Sequence, residues 1–124
     1  MPAACYVQAQ RFRAWYRDRV RAVFRDVDVI LAPATPFPAP LIGQDSIALG
    51  GAELPVRPLL GLYTQPLSFI GLPALSAPLA ATGGLPRAIQ IIAAPYHEAA
   101  VLRVAARLEA SGVVAANPPP AARR

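Results

Sequence analysis

Residues 63–94 read YTQPLSFIGLPALSAPLAATGGLPRAIQIIAA, short apolar runs punctuated twice by the same tripeptide, at Gly71-Leu72-Pro73 and Gly84-Leu85-Pro86. Proline fixes its own φ, removes a backbone donor and biases the residue before it toward extended geometry, so each Pro suits the entry of a strand better than its middle. The spacing predicts strands over about Ala74 to Leu79 and Ala88 to Ala93, with Ala81-Thr82-Gly83-Gly84 turning between them. Neither run alternates polar with apolar residues. That pattern points to strands covered on both faces, as inside an α/β sheet, more than to a half-exposed hairpin.

Working outward, Tyr96 to Ala110 predicts a helix with Leu102, Ala105, Ala106 and Leu108 facing the core, Val101 and Ala99 at its edge, and Gly112 ending it. Val113-Val114 is read as one brief strand. Upstream, Val7 to Arg25 predicts a second helix whose Phe12, Trp15, Tyr16, Val20, Val23 and Phe24 recur at three and four positions as a core-packing stripe. Val27 to Leu31 is β-branched and predicts a strand. The following APATPFPAPLIG carries four prolines and predicts an extended loop able to form a cleft wall. Gly50-Gly51 between SIAL and AELPV fits a hairpin turn, although a loose excursion fits as well. Arg57 to Ile70 is read as a short helix or irregular turns. Thr64, Gln65 and Ser68 are polar side chains in an apolar run, so they either cap backbone ends or line a polar pocket.

At 124 residues the chain is long enough for one modest domain, burying roughly two thirds of its unfolded surface. It is 55% hydrophobic and 15% charged, but much of the apolar supply is Ala and Pro, which brings little area per residue and suggests packing against more protein. The net charge is +5 and all twelve cations are Arg, which removes Lys Schiff-base and Lys general-base chemistry from these residues. Six of the Arg lie between Arg11 and Arg25, so the charge is local and implies neither nucleic-acid nor membrane binding. The lone Cys5 forms no internal disulfide, and no ligand spacing points to a metal or other cofactor. His97, the only histidine, reads as a helix-start residue, and Asp45 and Glu53 have no rigid setting for paired-acid hydrolysis. With no secretory leader pattern and no apolar run of about 20 residues, the default compartment is the cytoplasm.

Four ordered pieces carry a resemblance. DVDVILAPATPFPAP, TQPLSFIGLPALSAPLA, GGLPRAIQIIAAP and the helix YHEAAVLRVAARLE resemble, nearly end to end, the C-terminal part of the amidase signature family of Ser-dependent amide hydrolases. YVQAQRFR, TQPLSFIGLP and IQIIAAP narrow the likeness to AtzE-like amidohydrolases of urea-like or carboxybiuret-type amides. Ser68 stands where many members have Asn, and Ala88 where they have Gly, which weakens transfer of their substrate preference.

The resemblance implies an α/β class, the C-terminal fragment of an α/β/α fold with a mixed central sheet. Residues 1–116 would form a partial domain and 117–124 a disordered Pro/Arg tail. It also implies hydrolysis through an acyl-enzyme without cofactor. The family's Ser-Ser-Lys unit lies upstream of the matched part, so no catalytic residue is assigned here and a truncated or split gene product, inactive alone, is expected. Thr64, Gln65 and Ser68 are the substrate-pocket candidates. A small amide substrate would bind only when the missing N-terminal part is joined, with self-association or a partner subunit as further possibilities. The alternative is a non-enzymatic interaction module using the Arg-rich helix and Pro-rich loop.

Overall fold

The computed structural model describes residues 2–80 and 83–116. Over them the chain runs α1 (Ala3–Val23), β1 (Val29–Pro33), β2 (Ser46–Leu49), β3 (Ala52–Pro55), α2 (Val56–Leu59), α3 (Gln65–Ile70), β4 (Ala74–Pro78), β5 (Ala88–Ala93) and α4 (Glu98–Ala110). The central sheet has the order β1-β5-β4, and β2 and β3 pair separately as a hairpin. All the described pairings are antiparallel.

Side chains alternate across a strand, so the middle strand β5 sends neighbouring residues to opposite faces. Ile92 joins Ile70 and Leu72 in one core cluster, against which Tyr16 and Val20 of α1 and its C-cap Phe24 pack. Ile91 and Ala93 join Val101 in the other, supported by Val104, Ala105 and Leu108 of α4. Helices α1 and α3 thus cover one face and α4 the other. This is the α/β/α layering expected from the sequence, and it explains why β5 reads as an apolar run without alternation.

Strand β4 departs from that expectation. It lies at the sheet edge beside β5, with exposed residues alternating with covered ones. Ala74, Ser76 and Pro78 are small enough to sit at an exposed edge, so the run carries no polar alternation to betray its open face. Leu79 lies beyond the strand, in an isolated bridge to Val114 that realises the brief strand expected at Val113-Val114. Of the predicted turn, Ala81 and Thr82 fall outside the described residues, as does the tail 117–124.

The first Gly-Leu-Pro has a double use. Gly71 takes the left-handed conformation (φ 71°, ψ 42°) and closes α3, its N–H bonding the carbonyl of Ser68 while that of Leu72 bonds Leu67. Pro73 then leads into β4. A Cβ at Gly71 would meet nothing within 4 Å, so the strain of Gly71→Ala is conformational alone. We expect that substitution to cost about 1 kcal/mol, read as a lower urea midpoint with an unchanged slope.

Gly50 (φ 60°) and Gly51 (φ 82°) occupy the two central positions of the β2–β3 turn. Positive φ at both is what a two-residue hairpin turn of the favoured twist requires, so the hairpin reading holds. Strand β1 starts two residues later than expected and runs into Pro33, which is tolerated because β1 is the other sheet edge.

Two helix faces are corrected. On α4 the covered stripe is Val101, Val104, Ala105 and Leu108, whereas Leu102 is 59% exposed and Ala106 faces outward. That helix begins at Glu98 because Tyr96 has φ 66°, incompatible with a helical turn. On α1 the stripe divides. Tyr16, Val20 and Phe24 pack on the sheet, while Phe12 and Trp15 are each 55% exposed and Val23 is exposed beside them. Periodicity marked one broad apolar face, and the described residues cover only part of it.

Candidate functional site

Gln90 is the one buried polar side chain among the described residues, 4% exposed in the middle of β5. It points to the α1/α3 face, and its amide nitrogen donates to the carbonyls of Pro33 and Tyr63, each at 3.0 Å. These carbonyls belong to the end of β1, where the Pro-rich loop begins, and to the segment entering α3. One side chain therefore ties together two walls 57 and 27 residues away in sequence. The Pro-rich wall is further set by the Thr35 hydroxyl, which donates to the carbonyl of Phe37 at 2.9 Å, and by the buried Ala34 and Phe37.

Beside Gln90 lies a pocket of about 190 Å³ lined on its polar side by Thr64, Ser68 and Ser76, and on its apolar side by Ala34, Leu67 and Leu72. A larger open groove of about 890 Å³ runs between α1 and the α2–α3 segment. Its walls include Phe12, Tyr16, Pro58, Leu62 and Phe69.

The three residues singled out from sequence gather around the start of α3 but face different spaces. Thr64 sits at the N-cap position, makes no side-chain cap, and turns its hydroxyl to the carbonyl of Gly61 at 3.5 Å, bordering the small pocket. Gln65 is exposed, borders the groove and lies so close over Gly61 that any side chain there would displace it. Ser68, one turn on, borders both spaces. The two readings of the run coexist, since Thr64 meets a backbone carbonyl and all three residues border one or both spaces. Gln90 was missed as a site residue although one amide inside the apolar run AIQIIAA carried the signal, because a buried amide must find partners.

The polar side chains lining these two spaces, Thr64, Gln65, Ser68, Ser76 and Gln90, offer hydrogen bonds. Among the described residues no group of three or more His, Cys, Asp or Glu side chains is arranged to hold a metal ion. His97 is exposed with Nδ1 3.2 Å from the carbonyl of Pro95, and Ser46 donates to Glu53 within the hairpin. The described helices include none long and apolar enough to cross a membrane.

Comparison with known proteins supplies the frame for this arrangement. The family described as amidase matches residues 2–102. The chain belongs to the amidase family. The 1-carboxybiuret hydrolase subunit AtzE of Pseudomonas sp. (strain ADP) is 47% identical over 114 residues, which is 90% of this chain and 25% of that protein. A fatty acid amide hydrolase of Medicago truncatula is 38% identical over 108 residues, 86% of this chain and 18% of that one. Among solved structures, a chain of a vestigial protein complex bearing on the origins of an s-triazine catabolic enzyme superposes with TM-score 0.87 at 45% identity, covering 95% of this chain and 26% of its own. This amidase-family chain therefore spans about a quarter of the length of its AtzE-like relative. It is AtzE-like over that quarter, with the helices and antiparallel strands of the matched structure.

Proposed function

We propose that the chain is the C-terminal part of a cytoplasmic amidohydrolase that cleaves a C–N amide bond of a small urea-like substrate, and that it supplies a pocket wall rather than the nucleophile. In the reaction a serine oxygen of the family's catalytic unit adds to the amide carbonyl, the C–N bond breaks, and the amine leaves with a proton. Water then cleaves the acyl ester. Thr64, Gln65 and Ser68 act on substrate as hydrogen-bonding groups, with Gln90 holding their segment against the Pro-rich wall. By analogy with the complex in which its structural relative occurs, the working assembly includes a partner subunit.

The observation that carries this reading is the 47% identity to a 1-carboxybiuret hydrolase subunit over 90% of the chain. Two features support the division of labour. The sequence has no Lys. Among the described residues no hydrogen bond joins a serine hydroxyl to His97, the single histidine of the sequence.

The test is ammonia release from biuret-type amides by the chain alone and after mixing with an amidase-family body that carries the Ser-Ser-Lys unit but lacks the matched quarter. We expect none from the chain alone and turnover from the mixture, with Thr64→Val and Ser68→Ala raising KM about tenfold, the usual scale for one lost polar contact. Turnover by the isolated chain that vanished on serine replacement would overturn the pocket-wall role. A mixture that associates yet stays inert would overturn the hydrolytic reading.

A further inference from the structure

Ser76 gives the small pocket beside Gln90 a second polar wall. It stands opposite Gln90 in the antiparallel pairing of β4 with β5, so the two side chains project on the same face of the sheet. Strand β4 is the sheet edge, and its Ala74 and Ser76 are exposed there. Between them and the Thr64, Leu67 and Ser68 of the α3 segment lies the concavity of about 190 Å³. An α-helix is roughly 10–12 Å across, so a space of this size takes a group of a few heavy atoms and not another element of a protein.

Its polar groups have hydrogen bonds to give and to take. The amide nitrogen of Gln90 is held by the carbonyls of Pro33 and Tyr63, which border the adjoining space along α1 and not this pocket. The Gln90 oxygen is thereby left to the side of Ser68 and Ser76. Among the described residues Oε1 accepts no hydrogen bond and no sealed side-chain oxygen or nitrogen lacks a partner, so Oε1 is open to a small molecule although Gln90 is only 4% exposed. The hydroxyls of Ser68 and Ser76 are also free there, since the serine hydroxyl bonds among these residues are those of Ser46 and Ser111. No charged side chain lines the pocket, so a carboxylate would lose water without gaining an ion pair. One amide acceptor beside two hydroxyl donors matches a neutral group that carries N–H on one side and a carbonyl on the other.

We propose that this pocket is the subsite for the uncharged ureido end of the substrate, whose NH₂ donates to Gln90 Oε1 and whose carbonyl accepts from the Ser68 and Ser76 hydroxyls. The assignment rests on the amidohydrolase reading above and divides the work within it. Ser76 and Gln90 join Ser68 in touching that end of the substrate, whereas Gln65, which borders the groove instead, meets a different part of it. An apolar filling would leave the amide oxygen and both hydroxyls without partners, which is why the occupant must bring its own donors and acceptor.

The test titrates biuret into the isotope-labelled whole chain and follows backbone amide and side-chain NH₂ signals by heteronuclear NMR. We expect saturable shifts in the millimolar range at Ser68, Ser76 and the Gln90 side chain, and none with acetate or with tetramethylurea, which keeps the carbonyl but has no N–H. Ser76→Val, whose β-branched side chain suits an edge strand, and Ser68→Ala should each weaken biuret binding about tenfold. Signals elsewhere that stay in place will show that both variants fold, and Ser111→Ala, on the α4 layer, should bind as the parent does. No saturable shift, equal binding of tetramethylurea, or affinity unchanged by both substitutions would overturn the proposal. So would loss of the biuret shifts when the amidase-family body is added, because a side chain of that body would then fill the pocket. Binding is read without turnover. An inert mixture that still binds biuret here upholds the subsite and fails the hydrolytic reading, whereas turnover with a KM unmoved by Ser76→Val fails the subsite alone.

Discussion

Gln90→Glu is expected to lower stability at neutral pH by about 3–5 kcal/mol, the scale of an uncompensated buried charge. The two side chains have nearly the same shape, so the change isolates chemistry from packing. In the parent, one NH₂ group gives both hydrogens to the carbonyls of Pro33 and Tyr63. A carboxylate has no hydrogen to give and sets its lone pairs against theirs. Gln90→Leu should be milder, about 1–3 kcal/mol, because it leaves the carbonyls unpaired without adding charge. The acid variant should also regain stability on acidification. Its introduced carboxyl is disfavoured in charged form when folded, so the folded state holds its proton to higher pH than the unfolded chain, and stability falls as pH rises from the ordinary Glu range near 4.3. Protonated, it has one O–H and restores only one of the two bonds. Urea midpoints at neutral and mildly acidic pH, referenced to the parent, measure both effects. Equal midpoints for the parent and the acid variant at pH 7 would show that the Gln90 bridge holds nothing together.

The same residue shows what could be read before the structure. AIQIIAA was legible as a buried strand because Gly-Leu-Pro opens it and polar residues do not alternate along it, and the three-layer arrangement follows once both its faces must be covered. Gly71-Leu72-Pro73 was legible as punctuation, although the sequence marked only the strand entry and not the left-handed close of α3. Burial was less legible wherever small residues dominate. Ala and Pro are tolerated on either side of an edge strand, so β4 looked doubly covered, and on α4 the alanines on both faces let the reading turn Leu102 to the core and Val101 to its edge, the reverse of what the fold does. The flank of α1 at Phe12 and Trp15 misled for a different reason. Hydrophobic periodicity reports which face avoids water in the working molecule, and the described residues cover only part of that face.

The pocket candidates illustrate the limit of local reading. Thr64, Gln65 and Ser68 were conspicuous as polar residues in an apolar run, yet their division between a small pocket and an open groove depends on partners far along the chain. Ser76 and Gln90 come from the sheet, and Phe12 and Tyr16 from the first helix. No spacing within residues 63–70 encodes that convergence.

Ile91→Ala and Ile92→Ala should each cost about 2–5 kcal/mol, but through different layers. Both side chains are buried to within 2% of completely, and they are adjacent in β5, so intrinsic propensity and strand pairing are nearly the same for the two. What differs is the neighbourhood. Removing Ile91 leaves a void against Val101, Leu75 and Leu108, which hold α4, whereas removing Ile92 leaves one against Ile70, Leu72, Tyr16 and Phe24, which hold α1 and α3. Amide hydrogen exchange should therefore separate them. Ile91→Ala should speed exchange in 98–110 before it does in 3–23, and Ile92→Ala should reverse that order, because local opening follows the layer whose contacts were lost. The second variant should also loosen the segment carrying Thr64 and Ser68, since α3 rests on Ile92 while the bonds of Gln90 fix only its entrance. If both variants released all three helices together, the two layers would constitute one cooperative unit, and the pocket wall would depend on the whole sheet rather than on the α1/α3 face.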